Sequence, residues 1–173
     1  MDNTNKEKFE SLWPDFITLV KGKLIDVASK QTLSTPLANL VLTDAVASWT
    51  SPYEINGRWL NKLMEELPEQ GKLIYNILTQ DMKLSDIKSA SVLPMYCNYL
   101  IPIIGAGVSY AVSSYYDASR LIQGLSTLLP AALLYPAVNQ FRGIQKDRNI
   151  QINIDAYISQ LDKYYQSIVS VLS

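Results

Sequence analysis

The chain has 173 residues, 48% hydrophobic and 18% charged, with Lys+Arg 15 against Asp+Glu 16 for a net charge of −1. That length predicts one domain, 1–173, able to bury about two-thirds of its surface; the balanced charge, with no Lys/Arg-rich block, excludes the basic footprint that nucleic acid needs. There is no histidine and Cys97 is the one cysteine, which excludes an internal disulfide, a thiolate metal cage and the commonest general base.

The opening MDNTNKEKFESLW is polar where a signal peptide carries an apolar run, so cytoplasmic residence is the expectation. Thr4 and Glu7 stand at capping-box spacing. Phe9, Leu12, Trp13, Phe16, Leu19, Val20 and Leu24 follow at helical steps. Pro14 lies inside that pattern and predicts a kink or a break with a restart. STP at 34–36 and TSP at 50–52 each read as a hydroxyl N-cap before a first-turn proline, opening helices that run to about Ser48 and Leu67. Pro68 opens another helix with Leu73, Ile74, Ile77 and Leu78, and Ser85 caps a further one in LSDIK.

The middle of the chain has a different composition. No charge occurs from Ser89 to Tyr116 or from Leu121 to Phe141, so Asp117 and Arg120 stand alone between two apolar runs. Either run is long enough to cross a bilayer, but serines and Pro94, Pro102, Pro130 and Pro136 dilute it. Starting after Pro102, the positions Ile104, Val108, Ala111, Tyr115, Ala118, Ile122, Leu125 and Leu129 form one apolar seam. The opposite line, Ser109, Ser113, Tyr116, Arg120, Gln123 and Thr127, is polar. That asymmetry predicts one amphipathic helix over about 103–129, its seam buried and Asp117 and Arg120 on its wet side. Gly105, Gly107, Ser109 and Ala111 are small residues in rows that admit a close neighbouring helix.

Beyond it, Ile154, Ile158, Leu161, Tyr165, Ile168 and Leu172 give one stripe on a final helix. Ile150, Ile152 and Ile154 alternate as in a strand but have no second run to pair with. The fold class expected is all-α: a single-domain bundle of about six to eight helices around the long central apolar helix at 103–129.

Chemical motifs are weak. GAG at 105–107 meets Tyr110 where a dinucleotide loop needs its third glycine. Ser85 and Lys88 have S-x-x-K spacing without its companion motifs. Glu65, Glu66 and Glu69 read as a solvated face, and Cys97, with no histidine to activate it, as an inert thiol. No catalytic, cofactor or metal residue is assigned, and a non-enzymatic role is expected. Tyrosine suits interfaces, so Tyr110, Tyr116, Arg120, Tyr157, Tyr164 and Tyr165 are the interaction candidates. The leading expectation is a protein that binds a protein partner or a second copy of itself. The alternative is a membrane-active protein, pore-forming or membrane-associated, whose 92–138 region inserts.

Overall fold

Phe9, Leu12, Trp13, Phe16, Val20, Leu24 and Ala28 recur every three or four residues, and all are buried along α1, Thr4–Lys30. In the computed structural model, which describes residues 4–88 and 94–173, six further α-helices follow. These are α2 Thr35–Trp49, α3 Ile55–Glu66, α4 Pro68–Asn76, α5 Cys97–Tyr115, α6 Arg120–Ser159 and α7 Asp162–Leu172, with a π-helical turn at Ile77–Asp81. No strand occurs among the described residues, so the chain is all-α, and Ile150 to Ile154 are helical. Two compact units divide it, one of residues 1–89 and 150–173, the other of 90–149.

The first unit is built on aromatic rings. Phe9 lies 5.4 Å from Trp13, 6.0 Å from Trp59 and 5.8 Å from Tyr165, while Phe16 meets Trp13 at 5.0 Å and Trp49 at 5.7 Å. Leu60, Leu63, Ile74, Leu78, Ile154, Leu161 and Ile168 complete its core. Pro14 leaves α1 unbroken: it sits on the exposed side, while Phe9, Trp13 and Phe16 hold the turns around it. Burial along the stripe outweighs one lost backbone hydrogen bond.

Two helix boundaries of the first unit differ from the sequence reading. The TSP segment does not open α3; it forms a turn, Glu54 N–H donating to the Ser51 carbonyl at 3.0 Å, and α3 starts at Ile55. Gly57 is packed so closely that a Cβ there would overlap the Ser51 carbonyl. The final stripe is buried or half-buried as a row, but its helix breaks at Gln160 and Leu161, where the amides donate three residues back to Tyr157 and Ile158.

LSDIK is not helical at all. Residues 82–88 run as a non-helical strap whose backbone is held by side chains. Asn39 clamps Leu84 twice, accepting its N–H at 2.8 Å and donating to its carbonyl at 3.0 Å. Gln160 does the same to Ser85 at 2.7 and 3.2 Å, and the Tyr164 hydroxyl accepts from Lys83 N–H at 2.8 Å. With these groups engaged, no capped helix forms, and the Ser85–Lys88 spacing never becomes one helical turn. Asn39→Ala is expected to leave the Leu84 amide and carbonyl without these partners, at a cost of about 1–3 kcal/mol. Hydrogen exchange would read this as Leu84 amide exchange faster by at least about tenfold.

The second unit is a pair of antiparallel helices, α5 and the part of α6 up to Asn149. Asn98 faces Asn139, Gly105 faces Pro130 and Leu134, and Ser113 faces Ser126. The single helix expected over 103–129 is therefore two helices. α5 already begins at Cys97 and runs through Pro102; it ends at Tyr115 and the chain reverses over 116–119. The stop is a Schellman motif: Asp117 N–H donates to the Ser114 carbonyl at 3.1 Å and Ala118 N–H to the Ser113 carbonyl at 3.0 Å. Asp117 has φ 52°, the left-handed conformation that motif requires. Glycine usually fills that place, but aspartate tolerates it. Ser119 then precedes α6, its carbonyl accepting the first helical bond from Gln123 at 2.9 Å.

Candidate functional site

The pattern of burial in the second unit is inverted. Every buried apolar side chain in the core of the described residues belongs to the first unit, whereas the buried residues of 94–149 are Asn98, Pro102 and Ser113. Outward on the hairpin stand Ile103 at 66% exposure, Val108 at 59%, Leu121 at 74%, Leu128 at 68% and Leu133 at 66%. Leu100, Ile104, Val112, Ile122, Leu125 and Leu129 join them.

This reverses the expected seam. Ile104, Val108, Ile122, Leu125 and Leu129 are exposed, while Ser113 is buried and Ser109, Gln123 and Thr127 are half-buried. Where α5 and α6 meet, Ser126 Oγ donates to Ser113 Oγ at 3.0 Å and Asn98 Nδ2 to Asn139 Oδ1 at 3.3 Å. Thr127 Oγ1 and Ser126 Oγ are also satisfied by the Gln123 carbonyl at 2.7 and 2.9 Å. A Cβ at Gly105 would stand 2.5 Å from Leu134 Cδ1, so glycine admits that side chain. Gly107 has open space instead. Asp117 and Arg120 lie at the hairpin's turn, not along the wet side of one helix.

The six interaction candidates separate into two groups. Tyr157 is buried, its hydroxyl 2.9 Å from Thr35 Oγ1, Tyr164 donates to the Asp81 and Lys83 carbonyls, and Tyr165 stacks on Phe9. These three hold the first unit together. Tyr110, Tyr116 and Arg120 are exposed on the hairpin. The partners Asn98, Ser126, Leu134 and Asn139 went unassigned in the sequence; of the residues they meet across the helix pair, only Ser113 lies on the polar line, and nothing local pointed to the other positions.

The described part of the first unit has a cleft of about 340 Å³, lined by Leu42, Val46, Tyr75, Leu78 and Met82 among others. Its threonine hydroxyls donate to helix carbonyls, Thr43 to Asn39, Thr50 to Val46 and Thr79 to Tyr75, so they do not converge on a ligand. No cluster of three or more His, Cys, Asp or Glu able to hold a metal occurs among the described residues. No protein-family model, curated protein or solved structure matches the chain. The geometry therefore has to carry the functional reading by itself.

An 18-residue window of α6 reaches a mean hydropathy of 1.5, and 6% of that window is buried. A helix in a soluble core passes the same composition test but is mostly buried. α5 has no charged residue between Cys97 and Tyr115, and part of its polarity is spent on the α6 side. The largest apolar patch of a typical soluble monomer is roughly 300–600 Å². Each large aliphatic side chain moved from water into an apolar medium gains about 1.5–3 kcal/mol when fully buried. The outward face of this hairpin thus represents on the order of 10–20 kcal/mol available to whatever covers it.

Proposed function

We propose that the protein is a membrane-associated helical protein whose α5–α6 hairpin inserts into a lipid bilayer while the aromatic first unit stays in water. The observation that carries this reading is the inverted hairpin, with amide and hydroxyl groups between the helices and aliphatic side chains outside. In hydrocarbon the helices gain nothing by hiding leucine from lipid, and small or hydrogen-bonding residues hold them together. Both charges of the apolar middle sit at the turn, where they escape the roughly 2.5–3.5 kcal/mol cost of a charge at mid-bilayer.

The same geometry favours an anchor over a pore wall. A channel-lining hairpin needs a polar outer stripe, but Ser113 pairs with Ser126, Asn98 Nδ2 with Asn139 and Thr127 with the Gln123 carbonyl, and the unpartnered Asn98 Oδ1 is buried, not turned outward. The full-length chain mixed with neutral phosphatidylcholine vesicles is expected to float with them through a density gradient and to resist carbonate extraction, without releasing an entrapped dye. A monodisperse soluble oligomer that ignores the vesicles would instead mean that copies of the chain cover one another's hairpins, and the membrane reading would fall.

A further inference from the structure

Resting on that membrane reading, we infer that the hairpin crosses the bilayer completely, with residues 4–88 and 150–173 on the cytoplasmic side and the turn Tyr115–Arg120 presented on the other. Three observations converge on a full crossing. α5 is 19 residues long and uncharged, which at 1.5 Å per residue is about 28 Å, close to the roughly 30 Å hydrocarbon thickness, although among the described helices only α6 also reaches the mean hydropathy of a span. α6 matches it with an uncharged stretch from Leu121 to Phe141 before Arg142.

Tyrosines mark both ends of the pair. Tyr99 and Tyr135 contact each other with centroids 5.9 Å apart, near the Asn98–Asn139 end, and exposed Tyr96 lies beside them in sequence. Tyr115 and Tyr116 meet at 5.3 Å at the turn, with exposures of 82% and 75%. From Tyr99 to Tyr115 is about 24 Å along the helix axis, the spacing of two aromatic belts at opposite interfaces. Between those belts the stretch 121–134 contains no aromatic residue and α5 contains Tyr110 alone, about 8 Å along the axis from Tyr115.

The direction follows from basic residues near the ends of the spans. Lys83, Lys88, Arg142, Lys146 and Arg148 flank the open end of the hairpin, against Arg120 alone at the turn. Lys and Arg within about 15–20 residues of a span stay on the cytoplasmic side, and acidic residues weigh little in that bias. The hydrogen-bonded Schellman turn, with Tyr115 and Tyr116 exposed, then forms the whole face that the far compartment meets.

Sidedness can be read on the full chain expressed in a bacterial inner membrane. A Cys97→Ser background would carry either Ser119→Cys at the turn or Ser29→Cys on the exposed side of α1, and a membrane-impermeant maleimide would be added to spheroplasts or to inverted vesicles. Ser119→Cys is expected to label in spheroplasts and Ser29→Cys only in inverted vesicles. Labelling of Ser119→Cys in neither intact preparation, or of both sites from one side, overturns the crossing while leaving the hairpin in the membrane. The reverse pattern overturns the orientation. A protein absent from carbonate-washed membranes removes the insertion reading itself, and the crossing with it.

Discussion

Val108→Lys combined with Leu128→Lys is expected to abolish flotation with vesicles while the aromatic unit stays folded. Both side chains are exposed, and both lie well inside the uncharged stretches Cys97–Tyr115 and Leu121–Phe141. A lysine at mid-bilayer costs about 2.5–3.5 kcal/mol on the insertion scale. Two of them cost about 5–7 kcal/mol, a loss of roughly four orders of magnitude in partitioning. Snorkelling recovers least at the centre, where the ammonium group has the furthest to reach. The informative control is Leu40→Lys. Leu40 is 68% exposed, as Leu128 is, but belongs to the first unit, so its replacement is expected to leave flotation unchanged. If Leu40→Lys detached the protein and the hairpin pair did not, the lipid-facing surface would lie outside α5 and α6.

The distinction between these two exposed leucines also explains what was legible in the sequence. Helical periodicity gave the buried stripe of α1, from Phe9 to Leu24, and the row from Ile154 to Leu172, because both pack in the ordinary sense with apolar side chains inward. The same rule gave the wrong side of α5 and α6. Periodicity locates an amphipathic face but not which way that face turns: the rule expects Val108 and Leu125 in a core, and both are exposed. A helix pair that turns Asn98, Ser113, Ser126 and Asn139 toward one another has the same period with the faces exchanged.

The turn at 116–119 was hidden for a different reason. Its φ of 52° falls on aspartate, and without a glycine or proline there the seam seemed to run straight through it. The prolines misled in the opposite direction, since α1, α5 and α6 all contain them without interruption. Their carbonyl partners can find other donors or water when the packing around the helix is strong enough. The strap at 82–88 had no local signal at all. Asn39 and Gln160 lie far away in sequence, and only the tertiary fold brings their amides to its backbone.

Phe9→Ala is expected to be among the most destabilising single substitutions in the first unit, by about 3–5 kcal/mol. The side chain is fully buried and its ring touches Trp13, Trp59 and Tyr165, from three different helices. Truncation therefore removes transfer energy and leaves a cavity between elements that cannot all close upon it. A domain stabilised by the usual 5–15 kcal/mol would keep a fold, with its urea midpoint lowered by about 2 M for an m-value near 2 kcal/mol/M. The measurement is selective, because Trp13, Trp49 and Trp59 are the only tryptophans and all lie in this unit. Urea unfolding followed by tryptophan emission thus reads the aromatic unit and not the hairpin. Tyr116→Ala, at the exposed turn, is expected to change stability by less than about 0.5 kcal/mol, moving that midpoint by less than about 0.25 M. A comparable shift from both substitutions would mean that the hairpin turn contributes to the stability of the aromatic unit. A negligible shift from Phe9→Ala would mean that α1 is not held by its ring cluster. Retained flotation of Phe9→Ala alongside its lowered midpoint would separate the two properties, placing stability in the aromatic unit and lipid affinity in the hairpin.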